Sequence, residues 1–273
     1  MNSQDKRSEL IRRMKENTQG TSEQNSAVVE AKNHPSEETG KAIPEPIAII
    51  GLSANLPKSI DINAFWNSLD RDESLLQEIP SSRIDWTGKY DPQDKSGQMS
   101  HTKTGGVIPD ITGFDARFFG ILPSEANLMD PRKRLLLMSV YHALEDAGYA
   151  PQSLAKSETG VFVAVEEDEY QQKLRAAGIQ SDSGNSSSLI ANQLSYFFDF
   201  RGPSEFVNTM CSGAAVAIHR AVNALRTGEI TSAVVGAANL LISSDPFVFL
   251  SRTGQMSSSD TVHSFGEKAD GYL

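Results

Sequence analysis

Ser204-Glu205-Phe206-Val207-Asn208-Thr209-Met210-Cys211-Ser212-Gly213-Ala214-Ala215-Val216-Ala217-Ile218-His219 is the stretch on which the reading of this chain turns. Its first part, Glu205 to Met210, is β-rich and predicts a strand, and the Ala-dominated part from Gly213 onward predicts a helix. Thr209, Ser212 and Gly213 supply the small side chains that a tight strand-to-helix turn admits. Cys211 sits in that turn and is the one cysteine of the 273 residues. Two readings of it are open from the residues alone. A free cysteine often behaves as a small buried hydrophobe. A thiol at a helix start instead meets unpaired N–H groups and the positive end of the macrodipole, which favour a thiolate and hold a developing oxyanion.

Outward from this turn the pattern alternates strands with helices. Ile47 to Leu52, Gly160 to Val165, Glu205 to Met210 and Ser232 to Ala237 are apolar runs bounded by turn signals, the pattern of a mainly parallel, buried sheet. Asp130-Pro131 reads as an N-cap with proline at the first helical position, and the Leu-rich helix it opens ends before Gly148. After Cys211, Ala214 to Leu225 is apolar around most of its circumference, with Arg220, Asn223 and Arg226 as a narrow polar stripe. Such a helix is expected between two layers, with Cys211 at the bottom of a confined channel. Ser183 to Ser188, ahead of Leu189 to Phe200, could be a flexible linker by composition alone. Residues 1–45 differ: they carry seven Lys/Arg against eight Asp/Glu and, from Gln19 on, lack any apolar period, so a disordered linker or docking tail is expected. Within them, Gln4 to Glu16 could form one short helix, marginal on its own. Residues 46–273 then form the folded domain.

Composition narrows the classes of function. A content of 38% hydrophobic and 22% charged residues is that of a globular domain. One cysteine allows no internal disulfide, and no apolar run approaches the roughly 20 residues that span a bilayer, so a cytoplasmic protein with no membrane partner is expected. A net charge of −10 argues against a nucleic-acid partner, which would require a basic footprint. No metal-ligand spacing and no phosphate-cradling glycine motif occurs, so neither a metal nor a bound cofactor is expected.

The quoted stretch resembles the active-site segment of the β-ketoacyl synthases of fatty-acid and modular polyketide synthases, whose usual text is Asp-Thr-Ala-Cys-Ser-Ser. Here Asn208 and Met210 replace the Asp and the Ala. The likeness extends over Pro46 to Ser53, Phe65-Trp66, Phe114 to Ile121, Met129-Asp130-Pro131-Arg132, Gly236 to Leu240 and Ala269-Asp270-Gly271-Tyr272, in family order. Met138 and His142 stand where the family has Glu, and Gln193 where it has Arg; the resemblance of Asn192, Ser195 and Tyr196 to the family pattern implies that Ser183 to Ser188 is a helix start. The resemblance implies a thiolase-like α/β fold, amino-terminal half only, with a mainly parallel sheet between helices. It also implies that Cys211 is the catalytic nucleophile of a 3-oxoacyl-[acyl-carrier-protein] synthase type acyltransferase. Its acyl groups would arrive on the phosphopantetheine arm of an acyl carrier protein. Other polyketide synthase modules are the further implied partners, and a homodimer is implied for the complete enzyme.

The family's two active-site histidines and its helping lysine belong to segments beyond the Ala-Asp-Gly-Tyr motif, past Leu273. The chain is therefore expected to be a fragment inactive in condensation on its own, the alternative being a non-catalytic dimerisation or docking fragment. A thioesterase built on the same strand-to-helix elbow fits less well, because no acid and histidine follow in the required order. None of the five histidines is a good substitute base. His219, eight helical residues after Cys211, is displaced by roughly 12 Å of helix rise, against the ~3 Å reach that proton transfer needs.

Overall fold

A computed structural model describes residues 45–166, 169–179, 185–259 and 261–273. The readings made for residues 1–44, the short helix included, and for Ser183 lie outside the described residues.

A three-stranded parallel sheet organises the domain. β3 (Thr159–Val165) is its centre, flanked by β4 (Ser204–Val207) and β5 (Ser232–Ala238). β1 (Leu76–Glu78) and β2 (Thr104–Gly106) form a separate antiparallel pair. The helices are α1 (Ile62–Asp70), α2 (Pro123–Leu128), α3 (Pro131–Asp146), α4 (Glu169–Ala176), α5 (Leu189–Phe198), α6 (Gly213–Arg226) and α7 (Asp245–Arg252).

All seven residues of β3 are buried, because successive side chains alternate between two covered faces. Val161, Val163 and Val165 pack with Leu136, Leu137, Val140 and Leu144 of α3 and with Ile190, Leu194 and Phe198 of α5. Phe162 and Ala164 pack on the other side against Ala217, Ala221 and Ala224 of α6. The alanines that suggested a close helix–sheet approach occupy that interface. At its start, a Cβ added to Gly213 would sit 3.1 Å from the Ala164 Cβ, so any larger residue there would push α6 and β3 apart by a few tenths of an ångström.

Asp130 caps α3 as its sequence suggests, accepting from Arg132 N at 2.8 Å, and also pairs with the Arg132 guanidinium at 2.7 Å, both side chains buried. Asn185 Oδ1 accepts from Asp130 N at 3.0 Å, so the residues leading into α5 are tied to the start of α3. Glu169, at the first turn of α4, is another buried charge. Its carboxylate accepts from the backbone N–H of Ile242 at 2.9 Å and of Ser243 at 3.1 Å, just past β5. Burial pushes this carboxyl up, against the pull of those two hydrogen bonds.

Two expectations fail, for one reason. Ile47 to Leu52 forms no strand: Ile49 is 86% exposed and Ile50 60%. The run lies on α3, where Leu52 N donates to Asp146 Oδ2 at 2.9 Å and a Cβ on Gly51 would come within 2.2 Å of Ala143 O. Cavities of ≈ 340 and ≈ 400 Å³ lie between it and the outer edge of β5, out of reach of a ladder. Nor is α6 enclosed between layers. Its sheet face is buried, while Ala214, Ala215 and Ile218 face outward, Ile218 at 53% exposure. An apolar run or face becomes core only where a neighbour covers it, and among the described residues neither has one.

Candidate functional site at the Cys211 turn

Because the three strands run parallel, their carboxyl ends meet at one edge of the sheet, where α/β sheets bind ligands. β4 ends at Val207, earlier than predicted, and Asn208 to Ser212 form the turn. Ser212 Oγ donates to Thr209 O at 2.8 Å and Gly213 N to Met210 O at 2.9 Å, which lash the turn shut. Met210 adopts a left-handed φ of 56°, a conformation that costs a non-glycine residue roughly 1–3 kcal/mol and collects at functional sites. Asn208 supports it, its Oδ1 accepting from Met210 N at 3.2 Å.

Cys211 stands directly before Ser212, the N-cap of α6, so it adjoins the first helical turn rather than lying in it. The N–H groups of Ala214 and Ala215 at that turn have no carbonyl four residues back within the helix. Cys211 is exposed. The buried-hydrophobe reading is thus excluded, and so is the confined channel: with α6 uncovered on its outer side, the cysteine opens into a shallow pocket of ≈ 280 Å³. Glu166, Met210, Ala237 and Asn239 share that pocket.

The closing segment folds back on Gln255 to Ser258. Ser257 N donates to Tyr272 O at 3.0 Å and Tyr272 N to Gln255 O at 3.1 Å. Asp270 accepts from Ser257 Oγ at 2.8 Å and from Ser258 Oγ at 2.6 Å, and these hydroxyls hold its carboxyl down at about 2. Gly271 has no alternative here, since a Cβ would lie 2.4 Å from the backbone of Met256 and Ser257. Tyr272 lines the cavity beside Met256 and Leu273; burial first, then the charges of Cys211 and Glu166, push its phenol up.

No described histidine joins them. His101 Nε2 lies 3.0 Å from Ser257 O, His142 Nδ1 3.3 Å from Glu145, His219 Nε2 2.9 Å from Asn223 and His263 Nε2 3.2 Å from Thr261. Glu166, Asn239 and Tyr272 were not singled out from the sequence as neighbours of Cys211. The signal that could have found two of them is the rule that residues just past the carboxyl ends of parallel strands converge.

Residues 44–273 match the family model for the β-ketoacyl synthase, N-terminal domain. The chain belongs to that family and has its thiolase-like α/β fold. Among individual proteins it is similar to polyketide synthase PksR of Bacillus subtilis, 42% identical over 83% of this chain and 8% of that protein. It is also similar to polyketide synthase ThaG of Burkholderia thailandensis, at 38% over 85% of this chain and 4% of that protein. The chain thus spans a small fraction of the curated relatives it matches. Of solved structures, it superimposes on the oxazolomycin ketosynthase domain OzmH KS7 of Streptomyces albus with a TM-score of 0.77 and 36% identity, over 82% of this chain and 40% of that one. For the ketosynthase from module 6 of the bacillaene synthase of Bacillus subtilis the TM-score is 0.75 and the identity 33%, over 82% and 37% of the two chains. Among the described residues no helix is long and apolar enough to cross a membrane.

Proposed function

We propose that this chain supplies the nucleophile-bearing half of a polyketide ketosynthase. In this reading Cys211 accepts an acyl group from the phosphopantetheine arm of an acyl carrier protein. The observation that supports it best is the thiol's placement: exposed to a pocket, just past a strained residue, at the start of a helix whose first N–H groups are free of intrahelical partners. Sγ attacks the thioester carbonyl carbon. The backbone N–H groups of the turn favour the oxyanion, and the carbon–sulfur bond to pantetheine breaks as that thiol leaves with the proton Cys211 lost. Decarboxylative condensation with a malonyl-type extender would follow in the complete enzyme, a homodimer working with other polyketide synthase modules.

Intact-protein mass spectrometry with acyl-pantetheine tests the loading step. One acyl adduct is expected on the chain and none on Cys211→Ala; a folded sample that takes up no acyl group sinks the nucleophile role and favours a docking fragment. Malonyl carrier protein added afterwards tests the second step. No β-keto product is expected from this chain alone, because the described histidines are engaged elsewhere. A product would require a base other than those histidines.

A further inference from the structure

The pocket at Cys211 holds a charge that acyl transfer to a thiol does not require. β3 ends at Val165, and the next residue, Glu166, lines the pocket that Cys211 opens into. The other lining residues are apolar ones such as Met210, Ala237 and Ala238, with the neutral Asn239. Among the described residues that line the pocket there is no Lys, Arg or His. A carboxylate beside an acyl-accepting thiol acts on whatever part of the acyl group lies within a few ångströms of the thioester. It attracts a cationic or hydrogen-bond-donating substituent and repels an anionic one, and apolar walls strengthen both effects relative to open water.

We infer that Glu166 is a specificity-determining residue that makes the Cys211 pocket prefer acyl groups carrying an amine or hydroxyl near the thioester over acyl groups carrying a carboxylate. The inference rests on the reading of Cys211 as acyl acceptor. One further placement supports it: Asn239, just past the neighbouring strand end, lines the same pocket and adds no charge of its own.

The test compares three pantetheine thioesters of similar length on the folded chain and on Glu166→Gln, with intact-mass readout. They are β-alanyl (cationic), butyryl (neutral) and succinyl (anionic). The unmodified chain is expected to load β-alanyl fastest and succinyl slowest. In Glu166→Gln the β-alanyl to succinyl ratio is expected to fall about tenfold, with butyryl loading little changed, since two units of charge difference act at short range. A purely structural role for Glu166 would slow all three together and leave the ratio intact, which would overturn the inference. A second measurement does not depend on acyl loading: the rates at which cationic and anionic methanethiosulfonates modify Cys211. There Sγ bonds the reagent's sulfenyl sulfur and methanesulfinate leaves. The same substitution should lower the cation-to-anion rate ratio, and raised ionic strength should lower it in the unsubstituted chain. Unchanged ratios in both assays sink the selection alone. Normal thiosulfonate ratios with no acyl loading sink the acyl-acceptor reading, and the selection with it.

Discussion

Gly160 to Val165 and Ile47 to Leu52 are near twins in the sequence, short apolar runs rich in Val or Ile, yet one is the most buried strand of the domain and the other is exposed. The difference lies outside both runs. β3 has a parallel partner on each side and a helical layer on each face. The amino-terminal run has only α3 beneath it, and two cavities separate it from the sheet. Apolar content therefore measures a segment's capacity to be core; the neighbours decide whether that capacity is used.

The largest expected effect tests that contrast directly. Phe162→Ala, at a side chain 1% exposed between β3 and α6, is expected to lower stability by about 3–5 kcal/mol, read by urea unfolding. Ile49→Ala should change it by less than about 0.5 kcal/mol. Equal losses would mean that the amino-terminal run is buried in solution, and the contrast would fall. If it is exposed there, Ile49→Ser with Ile50→Ser should reduce self-association in light-scattering chromatography, because contiguous exposed apolar surface drives association.

A smaller effect concerns what ties α4 to the segment beyond β5. Glu169→Ala leaves the N–H groups of Ile242 and Ser243 without their acceptor and is expected to cost about 1–3 kcal/mol. Glu169→Gln, which keeps an acceptor oxygen and removes a charge that burial disfavours, should cost less. A Gln variant as unstable as the Ala variant would show that the charge, not the acceptor, matters here.

The smallest effect is a pH dependence confined to the closing segment. The Asp270 carboxyl is held down at about 2, below its unfolded value near 4, so its contribution is fully present above about pH 4 and is lost as pH falls through about 2. Relative to its cutting elsewhere in the chain, pepsin should accordingly cut near Ser257 to Tyr272 more readily toward pH 2 than at pH 4. Asp270→Asn should abolish that dependence, and equal cutting of both proteins at both pH values would remove Asp270 as the clamp.

Much of the site was legible because its determinants are local. The small residues around Cys211 dictate a tight turn, Asp130-Pro131 dictates a helix start, and the alanines at positions 217, 221 and 224 lie on one face of α6 by periodicity alone. These features depend on backbone sterics and on side-chain spacing along one segment, so the strands β3 to β5 and the helices α3 and α6 follow from the residues themselves, whereas the nucleophile role of Cys211 is implied by the family resemblance. The exposure of Cys211, the open outer face of α6 and the unpaired Ile47 to Leu52 do not follow, because each depends on what another part of the chain covers. Glu166 and Asn239 are separated from Cys211 by 45 and 28 positions, and only the parallel register of β3, β4 and β5 brings them to one pocket. Local sterics act through neighbours in sequence, whereas burial and charge act through neighbours in space, and those the tertiary structure alone decides.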